Sequence, residues 1–308
     1  MSVSYKKNTK QEDTMRQTGQ FLIILWAALH ITAAGVRAED CGNPPGWLPE
    51  NLPELLFEHQ TWATENLPPD LHDSRRLNLC HADLSGLDLS GVNLSHANLN
   101  LSRLVGTNFR NANLDGASLD GAYIKNSNFE GTRLSRASFR KTEITASRFS
   151  YAVSDHGLFQ DSLITASDFT GTRLEKSHFR RAELHDLNMQ NAALSHAVFG
   201  GSSLENIDFT GADLSQTVFF RTDLTGVNFT FADLSRADLG RANVQDVIFW
   251  DALLYLSNLR AINIGPEERD HITLFCDNLT TARDWQFSYR KKKFLCGSKS
   301  LPGKHTLK

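Results

Sequence analysis

Ser154, Asp155 and His156 follow one another in the stretch YAVSDHGLFQ, residues 151–160. They are a nucleophile, a carboxylate and a titratable base, the residue types used in acyl transfer. That chemistry needs the base within hydrogen-bond reach of the nucleophile and a third group to orient the base. Neighbours along a chain do not supply this geometry by themselves, so a catalytic serine is the weaker reading. The carboxylates are numerous, 35 Asp and Glu in 308 residues, but Asp83, Asp88, Asp213, Asp233 and their kin all stand beside a large apolar residue in one local pattern. Asp and Asn in turns bond their own backbone, which makes such acids structural. The histidines His81, His96, His156 and His196 fall at one outward place in the same pattern. No GxSxG, HExxH, Gly-rich phosphate loop or dinucleotide fingerprint is present. The expectation is therefore no enzyme, no cofactor, no metal and no small-molecule substrate.

Four cysteines, Cys41, Cys80, Cys276 and Cys296, could hold zinc or form disulfides. CxxC spacing and Cys/His clustering are both missing, which disfavours zinc. Of three connectivities, Cys41 with Cys80 and Cys276 with Cys296 is favoured, because each pair would bracket one end of the molecule. The compartment fits: Met15-Arg16 precedes the apolar run FLIILWAALHI, and TAAGVRA places Val36 and Ala38 ahead of a cleavage site. A secretory signal over residues 1–38, cut after Ala38, predicts a periplasmic or secreted chain starting at Glu39, in an oxidising setting. Met1 to Asp13 is extra leader or follows an upstream start codon. An uncleaved anchor, the sole expected membrane contact, is the alternative. The triplets NLS, NFT and NLT match glycosylation sequons, but they arise from the repeat described next.

What must position these residues is a period of five. In ADLSGLDLSGVNLSHANL a small residue, Asp or Asn, Leu and two polar residues recur. From Leu79 to Ile264 the central place occurs 38 times and is large and apolar at 37 of them, the exception being Ser154. Neither the helical period nor strand alternation fits this spacing; a chain that turns inward once every five residues does. The pattern resembles the pentapeptide-repeat family, whose motif is A(D/N)LXX, along about 190 residues. The resemblance implies an all-β solenoid, a right-handed quadrilateral parallel β-helix in which four pentapeptides make one coil.

Centres twenty apart should then stack in columns. Face one, from Leu79, and face three, from Leu89, hold twelve Phe between them; face two, from Leu84, is Leu, Ile and Val; face four, from Leu94, is Leu apart from Ser154. About ten coils are expected. The period is in phase on both sides of Ser154, which marks that serine as a local core defect; Val153 could turn inward in its place, and Gly157 could relieve strain.

Each coil buries its core against neighbours only, so both ends need caps. Residues 39–74 read as an N-terminal cap with a short amphipathic helix, Leu52, Leu55, Leu56, His59 and Trp62 on its inner face. The repeats cover 75–265, and 266–308 reads as a disulfide-closed C-terminal cap or tail.

The surface is sorted by charge. Face one carries Arg140, Lys141, Arg180, Arg181, Arg221, Arg241 and Arg260 against Asp120, Asp161 and Asp238; face two carries seven acids against Arg103 and Lys125. Outward Phe220, Phe231, Trp250 and Tyr255 cluster late in the repeats, where the tail could cover them. Arg140, Lys141, Arg180, Arg181, Arg221, Arg241, Arg260, Phe231 and Trp250 are the candidate interaction surface. The reading is a non-catalytic rod that presents its faces to an unidentified protein partner, with a homodimer also open. Two alternatives stand beside it. Some members of the family resemble duplex DNA and protect topoisomerases from quinolones, but the solenoid here is near balance, 20 acids to 18 bases, and the signal would carry it from the chromosome. Nucleic acid or anionic membrane could instead bind the basic face, with nucleic acid the less expected partner.

Overall fold

The computed structural model describes residues 41, 44–64 and 75–264. The signal segment, residues 65–74 and the tail with Cys276 and Cys296 lie outside them.

Backbone bridges join residues twenty apart in four parallel series, beginning Asn78 to Asn98, Asp83 to Arg103, Asp88 to Asn108 and Asn93 to Asn113. Four ladders per twenty-residue coil make a four-sided parallel solenoid. On face two the ladder widens into a sheet of nine short strands in sequence order, from β1 (Arg103–Val105) to β9 (Asn263–Ile264). Within it Ile124, Ile144 and Ile164 are Cα partners in successive coils. The coil count falls short of the expected ten: the rungs of this face run from Asp83 to Asn263, too few residues to close ten complete turns.

The columns explain one another. In face one, Phe139, Phe159, Phe179, Phe199 and Phe219 stack with ring centroids 4.7–5.1 Å apart. In face three, Phe109 to Phe169 stack at 4.5–4.9 Å. The two stacks meet edge to face across the interior, Phe129 against Phe139 at 6.5 Å and Phe139 against Phe149 at 6.2 Å. Aromatic rings favour both geometries. Phe therefore occupies opposite faces because its rings fill the middle from two sides.

Each corner is closed by a turn, as in the bond from Ala82 N–H to the Leu79 carbonyl, 3.0 Å. Every fifth residue from His81 to Ala261 sits at positive φ, and 27 of these corners carry a side chain rather than Gly. Left-handed backbone costs a residue with a Cβ about 1–2 kcal/mol, and Asn, Asp and His bear it better than most. The four outward histidines are thus corner residues. Ala166, at φ 48, has no polar side chain to help it. Ala166→Gly is expected to raise stability by roughly 0.5–1 kcal/mol after the added entropy of the unfolded chain is subtracted. A urea midpoint that drops would refute the corner assignment.

Ser154 lies in the interior, 2% exposed, and its hydroxyl has no hydrogen-bond partner. The ladder passes it unbroken: Ser154 N–H donates to the Arg173 carbonyl at 2.7 Å, and Val153 bridges Arg133 and Arg173. Val153 therefore keeps its ladder register and does not replace the serine. Gly157 makes room, since a Cβ there would come within 2.5 Å of the Ser154 hydroxyl. A serine between Leu134 and Leu174 leaves their column short of a Leu-sized group and buries an orphan hydroxyl. Ser154→Leu should raise unfolding free energy by about 2 kcal/mol, from restored packing and a removed unsatisfied polar group. A destabilised variant in chemical denaturation would show the serine to be required.

The helix α1 (Leu52–Thr64) closes the first coil with Leu52, Leu56, His59 and Trp62 buried. Leu55 is partly buried against the same core. The Trp47 indole N–H donates to the Cys80 carbonyl at 2.8 Å, and Cys41 is bonded to Cys80 with Cα atoms 5.4 Å apart. His59 accepts the Leu77 N–H through Nδ1 at 3.0 Å and packs on Trp62. Burial pushes its pKa down to about 4, with the carbonyls of Arg75 and Ser95 pulling the other way. A His that is neutral when folded favours the fold above its unfolded pKa of 6.5. That advantage, about 3 kcal/mol, is lost as pH falls from about 6.5 toward 4. Thermal melts should therefore show the cap weakening across this window, with the slope flattened in His59→Gln; an unchanged slope would contradict the assignment.

Candidate interaction faces

The residues with catalytic potential do not converge. Ser154 is inside, His156 is an exposed corner residue, and Asp155 pairs with Arg173, whose Nε lies 2.9 Å from its carboxylate. The acids beside the central residues do turn chemistry as expected. Asp83, Asp88, Asp213 and Asp233 each accept the backbone N–H two residues on, at 3.0, 3.1, 2.9 and 2.8 Å. Among the described residues one cluster has metal-ligand spacing, Cys41, Cys80 and His81 within 4.8 Å, and its two sulfurs are joined to each other.

The expected interaction residues divide into three groups. Arg140 and Arg180 are exposed on face one, in one column with Gln160: Lys141 N–H donates to the Gln160 carbonyl and Asp161 N–H to that of Arg180. Lys141, Arg181, Arg221 and Arg241 occupy the next corner at positive φ. Arg181 grips Asp161 through two bonds of 2.6 and 2.8 Å, holding that carboxylate below its usual pKa. Arg221 and Arg241 lie over the Phe220 ring at 5.3 and 5.9 Å. Such contacts favour a desolvated cation but are weak where exposed. Arg260 closes the series at the last coil.

Phe231 and Trp250, 62% and 59% exposed, do not join this row. The register puts them at and beside the corner between faces three and four, with exposed Ile248 and Leu253, whereas the bases are on face one. Sequence reading did not single out His178. His178 in fact stands beside Arg140 and Arg180. Its pKa is lowered by burial and then by Arg180, His156 and Arg140, and the ladder places it in the column of Ser138 and Leu158, beside those residues. The spacing of 136, 140, 156, 176, 178 and 180, all within four residues of one corner modulo the coil, is the signal that could have revealed this.

The model of the family described as pentapeptide repeats matches eight copies between residues 75 and 251, more than half of the chain. The chain belongs to the pentapeptide-repeat family. No curated protein matches it. Among solved pentapeptide-repeat structures it is similar to HetL of the cyanobacterium Nostoc sp. strain PCC 7120, a protein involved in heterocyst differentiation regulation. That likeness has 24% identity, covers 61% of this chain and 87% of HetL, and has a TM-score of 0.38. It is also similar to full-length QnrB1, a plasmid-mediated fluoroquinolone resistance protein: 15% identity, 65% and 98% coverage, TM-score 0.29. A pentapeptide-repeat protein of the Arabidopsis thaliana thylakoid lumen is 25% identical over 44% of this chain and 66% of its own, TM-score 0.19.

Proposed function

We propose that the chain is a non-catalytic pentapeptide-repeat rod that docks a protein partner along its charged faces, in the periplasm or outside the cell. The observation that carries this reading is the use of the side chains. Interior positions are filled by packing, the acids beside them by turns, and what projects is a charge pattern sorted by face. Sorted charge steers and orients partners more than it binds them. The Cys41 to Cys80 bond supports an oxidising compartment. A duplex-DNA mimic would need a strongly acidic surface, and face one is basic.

The test is a photo-cross-linking amino acid placed at position 140 on face one, or at position 133 on face four, in living cells. A discrete protein adduct from position 140 that is weaker from 133 supports face-specific docking. No adduct from either position, at normal protein levels, would sink it.

A further inference from the structure

One edge of the rod carries basic residue types over four successive coils. Where face four turns into face one, the corner residues are Arg136, His156, Lys176 and His196, all at positive φ. Their backbones are stacked by bonds such as Arg136 N–H to the Asp155 carbonyl and His156 N–H to that of Glu175. Beside them on face one stand Arg140, His178 and Arg180. His178 is faced by Arg140 and Arg180 from its own face and by His156 from the corner.

The nearby carboxylates are already engaged. Asp155 holds Arg173, Asp161 holds Arg181, and Asp120 takes the Ser138 hydroxyl and the Arg140 N–H. Glu175 lies on the face-four side, acting on Arg173. Among the described residues Arg136, Arg140, Lys176 and Arg180 enter no ion pair. Uncompensated cations held at fixed spacing on a rigid ladder are a preorganised anion site.

We propose that this edge, centred on Arg140, His156, Lys176, His178 and Arg180, docks an extended acidic polypeptide segment. The proposal rests on the protein-docking reading and names the partner's chemistry. Coils repeat at about 4.8 Å, so Arg140 and Arg180, like Arg136 and Lys176, stand about 10 Å apart along the axis. A polyproline-II segment returns to the same side every third residue, about 9.3 Å on, so acids three apart meet successive cations. Single-stranded nucleic acid would want aromatic platforms such as Trp, Tyr or Phe for its bases, and between Arg136 and Arg180 the exposed positions of this edge are Arg, Lys and His. A membrane surface would want apolar groups to insert, and the exposed Phe231 and Trp250 are on another side of the rod.

The histidines give the edge a pH signature. His178 is held below its ordinary pKa by burial and the facing cations, and is neutral above pH 6.5. Bound carboxylates favour its protonated form, so binding takes up protons and tightens as pH falls.

The test is fluorescence anisotropy of the full mature chain with a labelled peptide of four Glu-Pro-Pro repeats, beside a 15-nucleotide oligothymidylate and vesicles rich in anionic lipid. The expected result is peptide binding that falls at least tenfold in Arg140→Ala/Arg180→Ala and less than twofold in Arg110→Ala. Binding tightens from pH 7.5 to 5.5, and His178→Gln reduces that tightening. All variants replace exposed or half-buried side chains, and matching thermal melts verify the fold. Peptide binding indifferent to Arg140 and Arg180, or stronger binding of the oligonucleotide or vesicles through them, would overturn the proposal. If the peptide fails while position 140 still cross-links to a protein, the acidic chemistry is wrong and docking stands. If both fail, both fall.

Discussion

Phe149→Ala should lower the unfolding free energy by about 3–5 kcal/mol, the range for truncating a buried aromatic. Phe149 stacks on Phe129 at 4.5 Å and on Phe169 at 4.7 Å, and meets Phe139 edge-on at 6.2 Å. Its removal leaves a gap with rings above and below. The coils cannot close over it, because ladder bonds such as Phe149 N–H to the Asp168 carbonyl, 2.6 Å, fix their spacing. Stability in a solenoid is a chain of nearest-neighbour terms, so a mid-rod gap also divides the molecule into two weakly coupled halves. Denaturation followed at Trp62 and at Trp250 should give coincident transitions in the natural protein and separated ones in the variant. A loss under about 1 kcal/mol with coincident transitions would mean that the stacked rings are not the core.

Cys41→Ser should remove roughly 4 kcal/mol, the chain-entropy estimate for a bridge closing a loop of this size; the bond spans 39 residues. The loss falls on the cap. Cys80 belongs to the first coil, while Cys41 is tied to it by the bridge and by the Gly46 N–H to His81 carbonyl bond that follows. Without the bridge, the cap keeps the buried Leu52, Leu56, His59 and Trp62 and a few hydrogen bonds, from Gly46 to His81, Trp47 to Cys80 and Leu77 to His59. Hydrogen exchange should speed up in α1 and at Leu77, whose N–H is held by His59, while the Phe stacks stay protected. Unchanged protection of α1 in the variant would show the bridge to be incidental.

The fold was legible because one residue in five is invariantly large and apolar, and because the columns differ: Phe at 139 and 149, Ile at 124 and 144, Leu at 134. Those contrasts require twenty-residue coils and hence four faces. Ser154 was legible as a defect because the phase survives it. Less was legible at the corners. A(D/N)LXX does not announce that its last residue adopts left-handed backbone, since Arg, Lys, Tyr and Phe stand there as well as turn formers such as Gly, Asn and Asp. The coil count was too high because counting rungs on a face overstates the turns they enclose, and the rungs of face two end at Asn263. The basic edge was hidden because Arg136, His156 and Lys176 stand two to four positions before His178, Arg140 and Arg180 in the coil, and a face-by-face sum does not bring the two series together. A corner residue projects toward both faces, and the ladder register sets the two series side by side, with His178 between them.

Compartment decides more than any contact on the surface, because an exported rod meets envelope or extracellular proteins and a retained one does not. The most direct test is fractionation with N-terminal sequencing of the mature protein and thiol labelling of Cys41 and Cys80. The account predicts a periplasmic or extracellular chain that begins at Glu39, with both cysteines unlabelled until reduced. A cytoplasmic chain keeping its first 38 residues, with both thiols free, would contradict it.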